Sequence, residues 1–426
     1  MRRTCLFVAF MAFALSGCAD FTEATITGLP GNPQAIATGD FDGNGMPDAM
    51  VGFGSDVSGV SLAMQDDYGF WSYKPVSNLL FGGTELLAVT DANEDDSPDV
   101  VVGGTDSGFL SLMRNNGDAT FASSTVPLPG GARLNAIVAG KSAAGRQLVV
   151  ARYLDSGDAT RYATFEATGD TLEASQSAWT PSTTIDPDAL LRLFDVDGDG
   201  HLDLVAGNDD GRIEVFGGSS SDFGTFGAIA SQTLNGPGAG AVTAFAFGDA
   251  GTASDRQNWP VDGINDLLAA YSSSPVVYGW RGQGGGGFVA PVALGGVEFG
   301  SSPSITENIE IRGSNGAWAT NLGQDGSGGA VGFIGYRFGG TAYYQATSCT
   351  GPAQAIIDGQ GLDGGFNVPG IVVACGSGNK VEYIAYQRGR LEVTQAPSEF
   401  GEHPVGTQSA SQAVTVDALD SHFSDD

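Results

Sequence analysis

Histidine is scarce in this chain, and its scarcity narrows the catalytic chemistry that the sequence can support. The 426 residues include three histidines: His201 lies within an acidic loop, and His403 and His422 lie near the C-terminus. We therefore expect neither a Ser-His-Asp triad nor a histidine-rich zinc centre. Paired carboxylates remain available for glycoside chemistry, but 49 acidic residues single out no particular pair. The sequence thus identifies no catalytic residue.

Basic residues are also few. Lysine and arginine together number 18 against 49 acidic residues, which gives a formal net charge of −31. A surface of this charge repels nucleic acid and anionic lipid headgroups, and it favours solubility. We therefore exclude nucleic acid as a partner.

Long apolar runs are confined to the N-terminus. Arg2 and Arg3 precede an apolar stretch of about eleven residues, which is too short to span a bilayer and is typical of a signal peptide. Residues 15–18, Leu-Ser-Gly-Cys, resemble the bacterial lipobox, whose cysteine is acylated and becomes the mature N-terminus. The resemblance implies a lipid anchor on Cys18 and a place in the bacterial cell envelope, at the outer membrane of a Gram-negative source. A cleaved signal without lipid is the alternative.

Cysteine is limited to four residues. Cys5 is lost with the predicted signal peptide and Cys18 takes the predicted lipid, which leaves Cys349 and Cys375. An oxidising envelope compartment favours a disulfide bond between these two. Two free thiols remain the alternative, because sequence does not give the distance between their Cα atoms.

Aspartate, by contrast, is concentrated in a nine-residue loop that occurs three times. Each loop has oxygen-bearing side chains at its first, third, fifth and ninth positions, and the carbonyl of the seventh residue adds another oxygen. Such donors suit Ca²⁺, a hard cation that takes roughly six to eight oxygens. The predicted ligands are Asp40, Asp42, Asn44, Met46 and Asp48; Asp91, Asn93, Asp95, Ser97 and Asp99; and Asp195, Asp197, Asp199, His201 and Asp203.

The residues after each loop distinguish these loops from EF-hands. Position twelve of the third copy is Ala206 rather than glutamate, and all three loops continue into short apolar runs typical of β-strands. A calcium loop between two strands is expected to be structural, because a bound cation offsets the repulsion among clustered carboxylates.

The loops belong to a longer repeat of about fifty residues. Weaker copies occupy the intervals between and after the strong ones, and the seven units together predict four short strands each. In two of the units, Phe121 and Phe288 are expected to begin the outermost strand. The weaker copies are Leu134–Tyr153, Ala241–Tyr271, Trp318–Tyr336 and Ala353–Cys375. Units of this size bury a core only by stacking, which favours propeller blades; a series of unrelated β-sandwich domains is the alternative.

The strand–loop–strand pattern and the later Asn-x-Gly-x-x-x-Phe element resemble the FG-GAP/VCBS repeats of integrin-α-like propellers. The resemblance covers roughly residues 20–400 and implies an all-β, seven-bladed propeller of four-stranded blades. The expected organisation is a signal peptide at 1–17, the propeller at 18–402 and an acidic, flexible tail at 403–426. Phe21–Ile26 is expected to close the ring beside Val381–Tyr386, with Arg390–Thr394 as the competing strand.

The combined observations favour a non-enzymatic, calcium-stabilised envelope protein that binds a glycan or a protein. A calcium-dependent carbohydrate-active enzyme of the polysaccharide lyase type is one alternative. An accessory lipoprotein of an outer-membrane complex is the other. The calcium loops occupy one rim of a propeller, so recognition is expected on the opposite rim, at residues 54–59, or at the mouth of the central channel on that side. Trp259, in an insertion of the fifth unit, is expected to mark a second contact surface.

The predicted anchor can be tested by replacing its cysteine. Cys18→Ser removes the acylated thiol, so the protein should move from the membrane fraction to the soluble fraction and lose the mass of the lipid. Cys5→Ser is the matched control and should leave both properties unchanged. Identical detergent partitioning of the Cys18 variant and the native chain would contradict the lipobox prediction.

Overall fold

The structure is a computed structural model, and its regular elements are all β-strands. It describes residues 20–46, 48–55, 57, 59–65, 71–76, 83–105, 107–129, 133–179, 181–182, 185–220, 223–227, 231–238, 240–249, 262–296, 298–299, 302–303, 308–311, 317–324, 329–335, 341–346, 353–357, 371–375, 378–387, 391–395 and 415–418. None of these residues belongs to a helix long and apolar enough to cross a membrane.

The N-terminal half of the described chain begins with one strand and continues as four-stranded antiparallel sheets. Strand β1 is Asp20–Thr27. Sheet 1 contains β2 (Pro33–Gly39), β3 (Asp48–Phe53), β4 (Val60–Gln65) and β5 (Trp71–Val76). Sheet 2 contains β6 (Leu86–Thr90), β7 (Asp99–Gly103), β8 (Phe109–Asn115) and β9 (Phe121–Pro127). Sheet 3 contains β10 (Arg133–Lys141), β11 (Gln147–Leu154), β12 (Thr160–Thr168) and β13 (Thr171–Trp179).

The same order of strands continues in the C-terminal half. Sheet 4 contains β14 (Leu190–Phe194), β15 (Asp203–Gly207), β16 (Arg212–Phe216) and β17 (Gln232–Asn235). Sheet 5 contains β18 (Val242–Gly248), β19 (Asp266–Tyr271), β20 (Ser274–Trp280) and, after the short strands β21 (Gly282–Gly284) and β22 (Gly287–Phe288), β23 (Val292–Gly296).

The last strands complete two further sheets and two hairpins. Strands β24 (Glu298–Phe299) and β25 (Ser302–Pro303) pair with each other. Sheet 6 contains β26 (Asn308–Ile311), β27 (Ala317–Gln324), β28 (Gly329–Gly335) and β29 (Thr341–Ala346). Sheet 7 contains β30 (Ala353–Ile357), β31 (Ile371–Cys375), β32 (Lys380–Gln387) and β1. Strands β33 (Leu391–Gln395) and β34 (Thr415–Ala418) form the final hairpin.

Sheet 7 joins the first described strand to strands from the C-terminal part of the chain. Strand β1 pairs antiparallel with β32, and the register places Phe21 opposite Tyr386 and Ile26 opposite Val381. This pairing confirms the expected partner of Phe21–Ile26. The competing segment near residue 391 instead pairs with β34, so part of the predicted tail is a strand.

Two details of the predicted repeat are wrong. The sixth copy, Trp318–Tyr336, was expected to contain the first and second strands, whereas β27 and β28 are the second and third strands of sheet 6. This copy retains only Asn321 and Asp325 of the loop pattern, and a Gly-rich hairpin with so few loop residues has the same alternation wherever it lies in a sheet. Phe288 lies in the additional β21–β22 hairpin, and β23 is the outer strand of sheet 5.

The apolar core lies between neighbouring sheets rather than at a common centre. The first strands contact one another in the order β2, β6, β10, β14, β18, β26 and β30, and β30 contacts β2. One buried cluster joins Val101 of β7 to Leu134 of β10, and another joins Leu148 of β11 to Leu204 of β15. Every residue of β3 is buried, whereas most of the outer strand β5 is exposed. The arrangement is therefore propeller-like, with each sheet stabilised by its neighbours.

The pairing of β1 with β32 predicts an energetic difference between the two faces of β1. Ile26 is 7% exposed and packs in a cluster with Val51, Val372 and Val381, whereas Thr25 is exposed. Ile26→Ala should lower the unfolding free energy by about 2–4 kcal/mol in a denaturant titration. Thr25→Ala is the matched control, with an expected change below about 0.5 kcal/mol. Equal effects of the two substitutions would contradict the observed packing of β1.

Candidate functional site

The three acidic loops lie where the repeat predicted them, between the first and second strands of their sheets. Residues 40–48 join β2 to β3, residues 91–99 join β6 to β7, and residues 195–203 join β14 to β15. Because the sheets have the same order of strands, the loops are at the same end of their sheets. Residues 54, 55, 57 and 59 of the predicted recognition segment lie at the opposite end, between β3 and β4, and residues 56 and 58 lie outside the described residues.

The ninth residue of the first loop is a fully buried carboxylate that joins two parts of its sheet. Asp48 accepts the amides of Phe41 at 2.9 Å and Asp42 at 3.2 Å through Oδ2. Its Oδ1 accepts the amide of Gln65, the last residue of the third strand, at 2.9 Å. These bonds fix the start of the loop against the end of the β3–β4 hairpin.

The same arrangement recurs in the other two loops. Asp99 accepts the amides of Ala92 at 2.8 Å and Asn115 at 2.7 Å. Asp203 accepts the amides of Val196 at 2.9 Å and of Gly218 at 2.8 Å. A ninth-position carboxylate is therefore a structural contact in all three copies, independently of any cation.

Burial has a clear electrostatic consequence for these three carboxyl groups. Desolvation is the largest influence on each, and it raises the pKa of Asp48 to about 7 and those of Asp99 and Asp203 to about 6. The backbone amides that they accept oppose this rise, and neighbouring acids such as Asp42 reinforce it. The ionised loops thus contain charge that burial disfavours and that a bound cation would favour.

Two of the loops bring their carboxylates close enough to share a cation. One oxygen from each of Asp40, Asp42 and Asp48 lies within 4.8 Å of the others, and Asp195, Asp197 and Asp203 form an equivalent group. An all-oxygen donor set suits a hard divalent cation such as Ca²⁺ or Mg²⁺, so the residues present fit the predicted metal.

The fifth-position side chains orient the turn of each loop. The oxygens of Asn44, Asp95 and Asp199 accept the amides of the seventh residues, which are Met46 at 2.7 Å, Ser97 at 2.9 Å and His201 at 2.8 Å. Use of the carbonyls of these seventh residues as ligands remains a prediction.

The second loop differs from the other two. Its fourth and sixth residues, Glu94 and Asp96, have φ values of 57° and 64°, where the other loops have glycine with φ between 74° and 88°. A non-glycine residue in this region costs roughly 1 kcal/mol. The acids of this loop do not form a close group within the described chain, and Lys141 Nζ lies 3.8 Å from Asp91. We therefore expect this loop to bind a cation more weakly.

The fifth unit contains a loop whose ligand-type residues were not included in the predicted set. The amide of Gly263 donates to Asp249 Oδ2 at 2.8 Å, that of Ile264 donates to Asp262 at 3.0 Å, and that of Gly282 donates to Asp266 at 2.8 Å. These bonds reproduce those of the strong loops. The recognisable signal was Asp262-Gly263 followed by Asp266, but the insertion after Asp249 disrupted the spacing.

Several predicted residues fall outside the described part of the chain. Cys18, Cys349 and Trp259 are among them, so the lipid anchor and the aromatic contact remain predictions. Cys375 is buried in β31 and forms a disulfide bond. Its predicted pairing with Cys349 also remains a prediction.

Comparison with known proteins gives no family. No family model matches the chain, and no curated protein matches it. Among solved structures, a variant of AofleA from Arthrobotrys oligospora with three arginines replaced by alanine is similar at a TM-score of 0.42 and 10% identity. The similarity covers 86% of this chain and 93% of that chain. So distant a likeness carries no conclusion about ligand, and the propeller-like arrangement rests on the sheets themselves.

The raised pKa values predict how the stability of the metal-free chain depends on pH. Folded Asp48, Asp99 and Asp203 retain protons up to about pH 6–7, whereas the unfolded groups lose them near 3.8. These groups stabilise the folded state at low pH, and their contribution is lost as pH rises through the folded pKa. The melting temperature in chelator should therefore be lower at pH 8 than at pH 5.5.

A substitution separates this effect from general charge repulsion. The asparagine side chain of the Asp48→Asn variant cannot ionise. This variant should therefore show a smaller difference in melting temperature between pH 5.5 and pH 8 than the native chain. Asp188→Asn, at an exposed site outside the loops, should retain that difference. A melting temperature that rises between these pH values in the metal-free native chain would contradict the assignment.

Proposed function

We propose that this chain is a calcium-stabilised envelope protein that binds a glycan or a protein partner without catalysing a reaction. A lipid on Cys18 would anchor it to the outer membrane of its host. Four-stranded sheets supply a rigid framework, and the loops at their ends supply variable contact surfaces, as in other proteins whose binding residues lie on loops. No nucleic acid partner is proposed, because the formal net charge is −31.

This proposal rests on one observation: the acidic loop occurs three times, and its hydrogen bonds are arranged in the same way each time. Asp48, Asp99 and Asp203 make equivalent contacts in three sheets, and two of their loops gather carboxylates into a group that suits a cation. Metal ions at repeated structural turns stabilise the framework by binding the folded state in preference to the unfolded state. The identity of the ion as Ca²⁺ is part of the proposal.

A closed, seven-bladed ring of FG-GAP/VCBS type is the architecture that we propose for this framework. The successive contacts of first strands from β2 to β30, and from β30 back to β2, support a ring. The pairing of β1 with β32 supports closure by both ends of the chain. In such a ring, each acidic loop would reinforce one blade against its neighbours.

The binding role is tested with a glycan array and an envelope pull-down, each performed in calcium and in chelator. We expect a saccharide or one envelope protein to be retained in calcium, and retention to fall in chelator as the framework loosens. Cleavage of a retained polysaccharide in the same assay would contradict the non-enzymatic part of the proposal. A chain that retains nothing in either buffer would contradict the binding role.

Calcium should raise the thermal stability of the chain in proportion to the logarithm of its concentration. Saturation of one site at a hundred times its Kd stabilises the folded state by about 2.7 kcal/mol. The double variant Asp195→Asn/Asp199→Asn should lose one bound ion and part of this stabilisation. The variant Asp188→Asn/Asp209→Asn changes the charge equally at exposed sites outside the loops and should retain both. A melting temperature insensitive to calcium and chelator would show that the loops are only acidic turns.

A further inference from the structure

A cleft lies beside the third acidic loop, at the junction of sheets 4 and 5. It has a volume of about 300 Å³, and its walls are Asp197 and Asp203 of the loop, Ser231 and Gln232 at the start of β17, and residues 285–287. A smaller cavity of about 100 Å³ adjoins it, because the two share Asp197 and residues 285–287, and extends to residues 263–265 and Phe288. Both lie at the end of the sheets that carries the acidic loops.

The wall formed by residues 285–287 is the tip of the additional β21–β22 hairpin. Gly284, Gly285 and Gly286 have φ values of 81°, 57° and 76°, which side-chain-bearing residues rarely adopt. A Cβ atom added to Gly286 would lie 3.1 Å from Asp197 Cβ. Glycine therefore allows the backbone of the hairpin to approach the loop closely, which is one reason for glycine at ligand sites.

The chemistry of the walls favours a ligand with hydroxyl groups. Asp197 is an exposed carboxylate and a hydrogen-bond acceptor, whereas the Gln232 amide both donates and accepts. Within the described chain, the amides of Gly285 and Gly286 donate to no protein group. The described lining contains no lysine or arginine, and the four carboxylates of the loop exceed the charge of one bound divalent cation, so an anionic ligand would face a net negative surface.

The size of the cleft is the second criterion. A single cation would occupy only the space between Asp195, Asp197 and Asp203. The cleft volume of about 300 Å³ is larger than a cation needs and lies at the lower end of the range for small-molecule pockets. Buried Val196 and Val215 add an apolar surface to this volume. A sugar ring combines hydroxyl groups with apolar C–H faces, and one sugar residue is of a suitable size.

We propose that this cleft binds one residue of a neutral saccharide through the Gln232 amide, the glycine amides of the hairpin tip and the Asp197 carboxylate oxygen that the cation group does not use. The inference rests on the proposed function, since it identifies a site for glycan binding. It also places recognition on the end that carries the acidic loops rather than at residues 54–59.

The proposal is tested by calorimetric titration of the purified full chain, in calcium, with neutral hexoses, 6-deoxyhexoses and the matching uronic acids. At least one neutral sugar should bind, and its uronic acid should bind at least about fivefold more weakly. Gln232→Leu removes the amide while preserving the size of the side chain, and should weaken binding about fivefold or more, as expected for lost hydrogen bonds. Thr233→Leu is the matched control, because Thr233 is the next residue of β17 and does not line the cleft.

The outcomes distinguish this site from the general glycan-binding role. If a neutral sugar binds and both variants retain native affinity, the cleft assignment is wrong while glycan binding stands. If array glycans bind but none of the titrated neutral sugars does, the proposed ligand class is wrong. If no saccharide binds in any assay, both the cleft proposal and the glycan branch of the function fail. Equal melting temperatures of the two variants confirm that the comparison reports binding and not unfolding.

Discussion

A buried carboxylate at the beginning of the second strand is the contact on which the organisation of each sheet depends. Asp48, Asp99, Asp203 and Asp266 each accept a backbone amide from the residues that end, or directly follow, the third strand. Burial of an ionised carboxylate is unfavourable unless hydrogen bonds or a cation compensate for it. The amides supply part of this compensation, and the neighbouring acids of the loop create the site at which a cation would supply the remainder.

The dependence on local contacts extends to the whole framework. The buried clusters lie between consecutive sheets, so a sheet that lost its loop contacts would also present a poorer surface to its neighbours. The pairing of β1 with β32 joins the first described strand to sheet 7 and covers an edge of β32 that would otherwise be exposed. The additional β21–β22 hairpin makes the junction of sheets 4 and 5 different, and this difference creates the cleft proposed to bind a sugar.

Much of the strand order and loop placement could be predicted from the sequence, because it depends on local patterns. The acidic loops lie between first and second strands as expected, and Phe21–Ile26 pairs as expected. The strand positions predicted for the sixth unit are wrong, because a hairpin that retains only Asn321 and Asp325 of the loop pattern resembles other hairpins in sequence. The acidic loop of the fifth unit does not match the nine-residue pattern, because a long insertion separates Asp249 from Asp262. The left-handed conformations of Glu94 and Asp96 depend on the closed geometry of the loop, which composition does not reveal.

Proton release during calcium binding tests the central claim most directly. If the buried ninth-position carboxylates are both protonated near neutral pH and parts of the cation sites, calcium must displace their protons. A titration of the chain with calcium in weak buffer at pH 6.5 should release protons, and the release should disappear by pH 8.5, above the folded pKa of about 7 for Asp48. Calcium binding with no proton release at pH 6.5, or no binding at either pH, would contradict the account.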